Sequence, residues 1–308
     1  MRVFRGIPAR ADGPIALTIG NFDGFHLGHR AMMARLSKVA RGRGLPAAVM
    51  IFEPQPQEFF APDQAPPRLT SLREKLEFLR DCAVDRVYVC RFDYRFAQRE
   101  ADEFISRILR DALHTCWLLV GDDYRFGARR AGSFDLLQQA APRMGFDVES
   151  MASVVVDGMR VSSTAIRSAL AKGELAVADR LLGRCYAISG RVVHGEKLGT
   201  KLGYPTANVN LKRLRSALSG IFVVEVGGLG ELPLGGVASL GVRPTITDHG
   251  KSTLEVHLFD YDRDVYGKRI DVRFLAKLRD EQKFASIDAL VRQMEGDALA
   301  ARQYLYRA

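Results

Sequence analysis

The strongest constraint on this chain is a change of period near residue 184. Upstream, short apolar runs alternate with segments of helical spacing. "IALTI" (15–19) precedes a helical pattern from about His29 to Arg41, with Met32, Met33, Leu36, Val39 and Ala40 along one side, and "RGRG" at 41–44 stops it. "AAVMIF" (47–52), "RVYVCRF" (86–92), "CWLLVG" (116–121) and "DVESMASVV" continue the strand series. "LREKLEFLRDC", capped by Thr70 or Ser71 with Glu74 completing a capping box, "ADEFISRILRDAL" and "SFDLLQQAAPRMG" supply the helices. Short apolar strands separated by helices mean β-α-β units and a parallel sheet buried on both faces. Two short helices, roughly 163–171 and another ending at Gly183, close this part. From Tyr186 onward, "YAISGRVVHG", "GIFVVEVGGLG", "LPLGGVASLG", "STLEVHLFDYD" and "RIDVRFLAKL" are alternating or β-branched runs parted by Gly and Asp turns. That pattern predicts an antiparallel, barrel-like domain. An amphipathic helix over "ASIDALVRQMEGDALAARQYLYR", with Ser286 as N-cap, ends the chain. The expected domains are 1–184 and 185–308.

A length of 308 residues agrees with two domains, and 47% hydrophobic with 26% charged residues is the balance of a globular protein. No apolar run of about 18 residues is present, so no membrane span is expected. The opening "MRVFRGIPARADG" has no apolar core of the secretory type. Cys82, Cys90, Cys116 and Cys185 form no C-x-x-C pair, which excludes a thiolate zinc knuckle and fits a reducing, cytoplasmic setting. The net charge of +9 points to phosphate-bearing partners, yet Lys and Arg are interleaved with Asp and Glu, as in "REKLEFLRD". Nucleotides fit that charge, and no nucleic-acid partner is expected.

"GNFDGFHLGH" (20–29) sits where a strand ends and a helix begins. Ligands of open parallel sheets bind at that edge, and a helix N-terminus there attracts anions. A zinc site of the H-E-x-x-H kind needs i, i+4 spacing and an intervening Glu, and both are missing. Two histidines packed only structurally beside these glycines are a weaker reading than phosphate holding, in which imidazoles and helix dipole stabilise charge on a transferring phosphorus.

"HLGH" resembles the H-x-G-H signature of the nucleotidyltransferase superfamily, which class I aminoacyl-tRNA synthetases share. "RVSSTAIRSAL" (160–170) places Ser162, Ser163, Thr164 and Arg167 at a helix start, an arrangement suited to a triphosphate as well as to an ordinary N-cap. No lysine-rich synthetase loop accompanies it. "SSTAIR", together with "GDDYRFG" (121–127), is similar instead to the flavin-adenylylating branch, with Tyr124 where Phe is usual. The resemblance implies a Rossmann-like domain in which His26 and His29 serve adenylyl transfer. It implies that Gly20, Phe22, Asp23, Gly24, Gly28, Asp123, Ser162, Ser163, Thr164 and Arg167 bind ATP. "FEPQPQEFF" (52–60) resembles the loop on the flavin side of that site. Gln55 stands where some members have His, so it receives no acid–base role. Phe59, Phe60 and Phe126 are candidates for flavin stacking, with core packing an equal alternative.

In the second half, "GRVVHGEKLGTKLGYPTANV" (190–209) lacks the P-loop pattern, and "GKS" (250–252) is a decoy because Thr245 stands where the loop's glycine should be. Gly195, Gly199 and Gly203 fit a loop whose amides wrap a phosphate. "GYPTAN" (203–208) resembles the P-T-A-N motif of riboflavin kinases, a six-stranded barrel family. "GVRPT" (241–245), "LEVHLFD" (254–260), "DVYGKRIDVRF" (264–274) and "LRDEQKFAS" (278–286) follow in that family's order. The resemblance implies that Thr206 and Asn208 hold Mg²⁺ with ATP, that Glu255 is the base toward the riboflavin hydroxyl, and that Arg279 and Glu281 lie on the flavin side. His194, His249 and His257 match no motif and are expected to be structural or at the surface.

The whole chain thus resembles the prokaryotic bifunctional riboflavin kinase/FMN adenylyltransferases, also called FAD synthetases. That family phosphorylates riboflavin to FMN, then transfers AMP from ATP to FMN, releasing pyrophosphate. The implied substrates are riboflavin, FMN and ATP, on a monomer or weak homo-oligomer. An adenylyltransferase of phosphopantetheine or nicotinamide mononucleotide would lack the "GYPTAN" half. A basic RNA-binding module would leave both motif sets unexplained and would show steeply salt-dependent RNA binding.

Overall fold

The computed structural model describes residues 1–195, 199, 202–213, 215–242 and 252–307. Residues 196–198, 200 and 201 of the glycine-rich loop, Arg243–Thr245 of "GVRPT", the first two residues of "GKS", and His249 lie outside that set. Chain contacts define two compact units: Met1–Pro66 with Leu72–Val161, and Pro67–Ser71 with Ser162–Ala308.

The first unit is a six-stranded sheet. In chain order its elements are β1 (Arg2–Arg5), β2 (Ile15–Ile19), α1 (Leu27–Gly42), β3 (Ala47–Glu53), α2 (Pro56–Phe60), α3 (Leu72–Asp81), β4 (Arg86–Arg91) and α4 (Tyr94–Ala97). There follow α5 (Ala101–Glu103), which runs on as a π-type helix over Phe104–Ala112, then β5 (Thr115–Gly121), α6 (Phe134–Met144) and β6 (Asp147–Met151). Every neighbouring pair is parallel, in the order β1-β4-β3-β2-β5-β6. Period-2 alternation sends Ile15, Leu17, Ile19, Met50 and Leu118 into one core with Phe104, Ile108 and Leu137. It sends Ala16, Val49, Ile51 and Leu119 into another with Met33, Leu36 and Leu79. Each apolar strand is therefore buried on both sides, as the runs of the sequence predict. The segment expected as one strand, "DVESMASVV", ends at Met151, and a separate hairpin of β7 (Val155–Val156) and β8 (Met159–Arg160) follows.

In the second unit, α7 (Ser163–Ala171) and α8 (Leu175–Leu182) precede a closed antiparallel barrel. Its strands are β9 (Ala187–Val193), β10 (Ala207–Asn210), β11 (Gly220–Gly227), β12 (Leu234–Val242), β13 (Ser252–Leu258) and β14 (Arg269–Arg279), in the order β10-β13-β12-β11-β14-β9. The terminal helix α9 (Ile287–Arg307) begins at Ser286, whose hydroxyl accepts the Ala289 N–H at 3.2 Å as a cap. α9 packs on β11, β12 and β14. Composition changes at residue 185, whereas the compact units divide at Val161/Ser162. The difference arises because α8 packs on β14 and its Asp179 carboxylate accepts the Tyr186 N–H at 2.8 Å.

Candidate functional site

The strand order of the parallel sheet reverses at β2: strands β3 and β4 lie on one side of it and β5 on the other. The loops after β2 and β5 leave the same edge, where such sheets bind ligands. The first loop is "GNFDGFHLGH". Phe22 (φ 48°), Gly24 (φ 80°) and Phe25 (φ 42°) all take left-handed backbone, a strained arrangement for two phenylalanines that clusters at functional sites. Burial of both rings holds it, with Phe25 stacked on Phe78 of α3 at 5.3 Å. Asp23 is buried in the turn.

The turn delivers His26 to the N-cap of α1, where Nδ1 accepts the His29 N–H at 3.3 Å. A neutral imidazole accepting at Nδ1 carries its proton on Nε2, which makes Nε2 a donor. The His29 ring stacks on the His26 ring at 3.6 Å, and Phe22 meets His29 edge-on at 5.1 Å. A Cβ on Gly28 would stand 3.2 Å from Cε1 and Nδ1 of His26, so the glycine leaves room for the folded-back imidazole. Every position of H-x-G-H thus has a local reason, and none of them requires a metal. Two imidazoles at a helix N-terminus suit an anion.

The second loop, "GDDYRFG", follows β5. Asp123 is exposed and accepts from Arg160 Nη2 at 2.9 Å, a partner that no motif pointed to. Tyr124 stacks on Phe126 at 5.6 Å, and burial raises its phenol above the usual value. Phe126 lies in the core, and a row of ring contacts runs from it through Phe104, Phe96 and Phe92 to Phe59 and Phe60. Phe126 therefore packs, Phe59 is half-buried, and Phe60, 66% exposed, is the ring with free surface. Gln55 is buried, and its N–H donates to Glu58 at 2.9 Å as α2 starts.

Ser162, Ser163, Thr164 and Arg167 begin α7, in the second unit. The Ser162 hydroxyl caps the helix by accepting the Ala165 N–H at 3.1 Å, and Arg167 Nε donates to the Pro67 carbonyl at 2.8 Å.

The barrel has its own cavity, of about 390 Å³. Asn208 on β10 is in register with Glu255 on β13, and Thr206 Oγ1 lies 3.5 Å from Glu255 Oε2. A Cβ on Gly195 would collide with the Asn208 amide, and one on Gly199 with the Tyr204 carbonyl, so the described part of the glycine loop lies directly on P-T-A-N. Gly203 (φ 85°) turns the chain into it. Hydroxyl, amide and carboxylate oxygens, with room kept beside them by glycine, suit a hard divalent cation shared with phosphate.

His257, expected to be structural, lines the cavity beside Glu255 because residues i and i+2 of a strand share a face, a signal already present in the sequence. Its Nδ1 lies 2.9 Å from the Pro205 carbonyl. His194 lies against Tyr266, with ring centroids 4.0 Å apart. Glu281 accepts from Ser239 at 3.4 Å and fills the space above Gly241 that a Cβ would occupy. Arg279 is held by Asp297 of α9, a partner that sequence reading missed because the pairing joins a strand to a later helix.

Comparisons with known proteins cover both units. A family model described as FAD synthetase matches residues 9–165, and one described as riboflavin kinase matches 182–305. The chain is 52% identical over 307 residues to a bifunctional riboflavin kinase/FMN adenylyltransferase of Escherichia coli (strain K12), covering 99% of this chain and 98% of that one. It is 50% identical to one of Pseudomonas fluorescens over 285 residues, 92% of this chain and 91% of that one. A solved structure described as a macrolide-efflux protein from Streptococcus pneumoniae shares the architecture, with a TM-score of 0.81 at 30% identity over 97% of this chain and 98% of that one. Among the described residues, no helix is long and apolar enough to cross a membrane.

Proposed function

The chain belongs to the family of bifunctional riboflavin kinase/FMN adenylyltransferases, and from that premise we propose which of its residues carry each reaction. It phosphorylates riboflavin to FMN with ATP, then transfers AMP from a second ATP to FMN, giving FAD and pyrophosphate. Families of this kind generally need a divalent metal. The adenylyl transfer belongs to residues 1–184 and the phosphorylation to residues 185–308.

In the kinase half, Glu255 takes the proton of the riboflavin 5′-hydroxyl as the oxygen attacks the γ-phosphorus of ATP. A positioned carboxylate does this work when it lies within hydrogen-bond reach. Thr206 and Asn208 would hold Mg²⁺, which supplies charge neutralisation on the transferring phosphates. Gly195, Gly199 and Gly203 keep the loop close enough for its amides to meet those phosphates. Arg279 and Glu281 border the flavin. The juxtaposition of Glu255 with Asn208, its register partner on β10, and with Thr206 just before that strand carries this reading, Thr206 and Glu255 both lining the cavity.

In the adenylyltransferase half, the FMN phosphate attacks the α-phosphorus of ATP in line. His26 and His29 donate to the phosphate oxygens as charge builds there, and the α1 N-terminus adds its dipole. Gly20, Phe22, Asp23, Gly24 and Gly28 shape that turn. Asp123, Ser162, Ser163, Thr164 and Arg167 bind the nucleotide, while Phe60, backed by Phe59 and Phe92, offers its face to the isoalloxazine. Neither step needs a covalent enzyme intermediate, because alignment and charge stabilisation suffice. The protein is read as a monomer or weak homo-oligomer of the cytoplasm. Incubation with riboflavin and MgATP, followed by chromatography, should show FMN appearing first and FAD after it. Absence of FMN would sink the kinase assignment.

A further inference from the structure

The kinase cavity has one wall that the motifs do not describe. α9 contributes Leu290, Met294, Asp297 and Ala298 to a lining that also includes Thr206 and Glu255. Three carboxylates, Glu255, Glu281 and Asp297, line this small volume, and among its described residues Arg279 is the one guanidinium.

Arg279, the last residue of β14, reaches Asp297 in fork geometry. Nε lies 3.0 and 3.1 Å from the two carboxylate oxygens, and Nη2 lies 2.8 Å from Oδ2. Nη1 donates to the Asp280 carbonyl at 3.0 Å, and Gln293 Nε2 supports Asp297 Oδ1 at 2.9 Å. The pair is shielded, with side-chain exposures of 19% and 7%. Bidentate pairs of this kind fix orientation as well as position. A guanidinium has five N–H groups. Among the described residues three of these have partners, which leaves one N–H on each Nη of this cavity-lining side chain.

We propose that Asp297 is a positioning residue for flavin recognition: it holds the Arg279 guanidinium and the α9 wall so that the two remaining Nη donors meet carbonyl oxygens of the isoalloxazine. Asp297 touches no reacting atom. It acts through Arg279, and Gln293 acts through Asp297. A pair that served only to fasten α9 would need no place in the cavity. A second bidentate pair, Arg302 with Asp260 at 2.7 and 2.8 Å, already fastens that helix from outside the cavity lining. The inference rests on the kinase reading of this cavity.

The test measures riboflavin phosphorylation by the full chain and by Asp297→Asn, which keeps the shape but loses the charge. The expected result is a riboflavin KM raised about 10-fold or more, as loss of a charge-assisted contact implies, with the ATP KM and kcat within about 3-fold. Riboflavin Kd from flavin fluorescence should shift in parallel, and conversion of supplied FMN to FAD should not change. Arg279→Lys should raise the same KM, and the double variant should add little to either, since residues acting through one contact are non-additive. Gln293→Leu, which leaves the ion pair itself intact, should give a smaller rise of the same kind and stands in if Asp297→Asn does not fold. An unchanged riboflavin KM, an equal rise in both substrates' KM, or additive effects would overturn the inference. A wild-type chain that phosphorylates no riboflavin would overturn the underlying kinase reading instead.

Discussion

The two halves of this chain handle the same substrate, ATP, with opposite uses of the backbone. In the parallel sheet, three left-handed residues wind a turn that brings two stacked imidazoles to a helix N-terminus. In the barrel, two paired strands offer side-chain oxygens, and glycines bring a loop onto them. In the proposed reading, the first site would gather its positive potential from peptide dipoles and imidazole N–H groups. The second would present oxygens to a cation that neutralises phosphate charge. Glycine-rich sequence alone does not separate these cases, because its purpose is turning in one and close approach in the other.

The contrast breaks most visibly if one methyl group is added at each site. Gly195→Ala would drive a Cβ into the Asn208 amide, and a displacement of that size at the side chain proposed to hold the metal should cost about 100-fold in riboflavin phosphorylation. FAD formation from supplied FMN should continue in that variant. At Gly28 the same substitution meets the His26 ring at 3.2 Å, a contact that the side chain relieves by a few tenths of an ångström. A loss of about 10-fold in adenylyl transfer is expected, with phosphorylation intact. Equal losses in both activities from either variant would erase the distinction between the sites.

The smallest effect concerns stability. Burial pushes the Cys90 thiol, on β4, up to about 12. A thiol whose folded value is raised contributes stability that is fully present below its unfolded value. That contribution falls as pH climbs from about 9 toward 12, because the unfolded chain then sheds a proton that the folded one keeps. Thermal midpoints should drop between pH 8 and pH 10, less so in Cys90→Ala once its lower baseline is subtracted. The same burial predicts slow alkylation of native Cys90 by iodoacetamide at pH 8.

Much of this architecture was legible as period. The run "IALTI" is a fully buried central strand, the helix after it spans Leu27–Gly42, and Ser286 caps α9. The barrel was legible from its Gly-parted β-branched runs plus "PTAN". Other features have no local signal. Phe104–Ala112 is π-type, but its buried residues Phe104, Ile105, Ile108, Leu109 and Ala112 recur at a spacing that an α-helix would also show. β1 is a short edge strand rich in Arg, so burial left no pattern in it. In the sites, the motifs named Asp123, Glu255 and Arg279, and the fold brings Arg160, His257 and Asp297 beside them. His257 alone was within reach, by its i+2 spacing from Glu255.

The most direct test of two chemically independent sites is complementation. His29→Ala and Glu255→Gln are each given riboflavin and MgATP, alone and mixed, and the flavins are separated by chromatography. The account predicts that His29→Ala stops at FMN, that Glu255→Gln leaves riboflavin untouched, and that the mixture makes FAD. A folded His29→Ala that forms no FMN, or a mixture that forms no FAD, would contradict it.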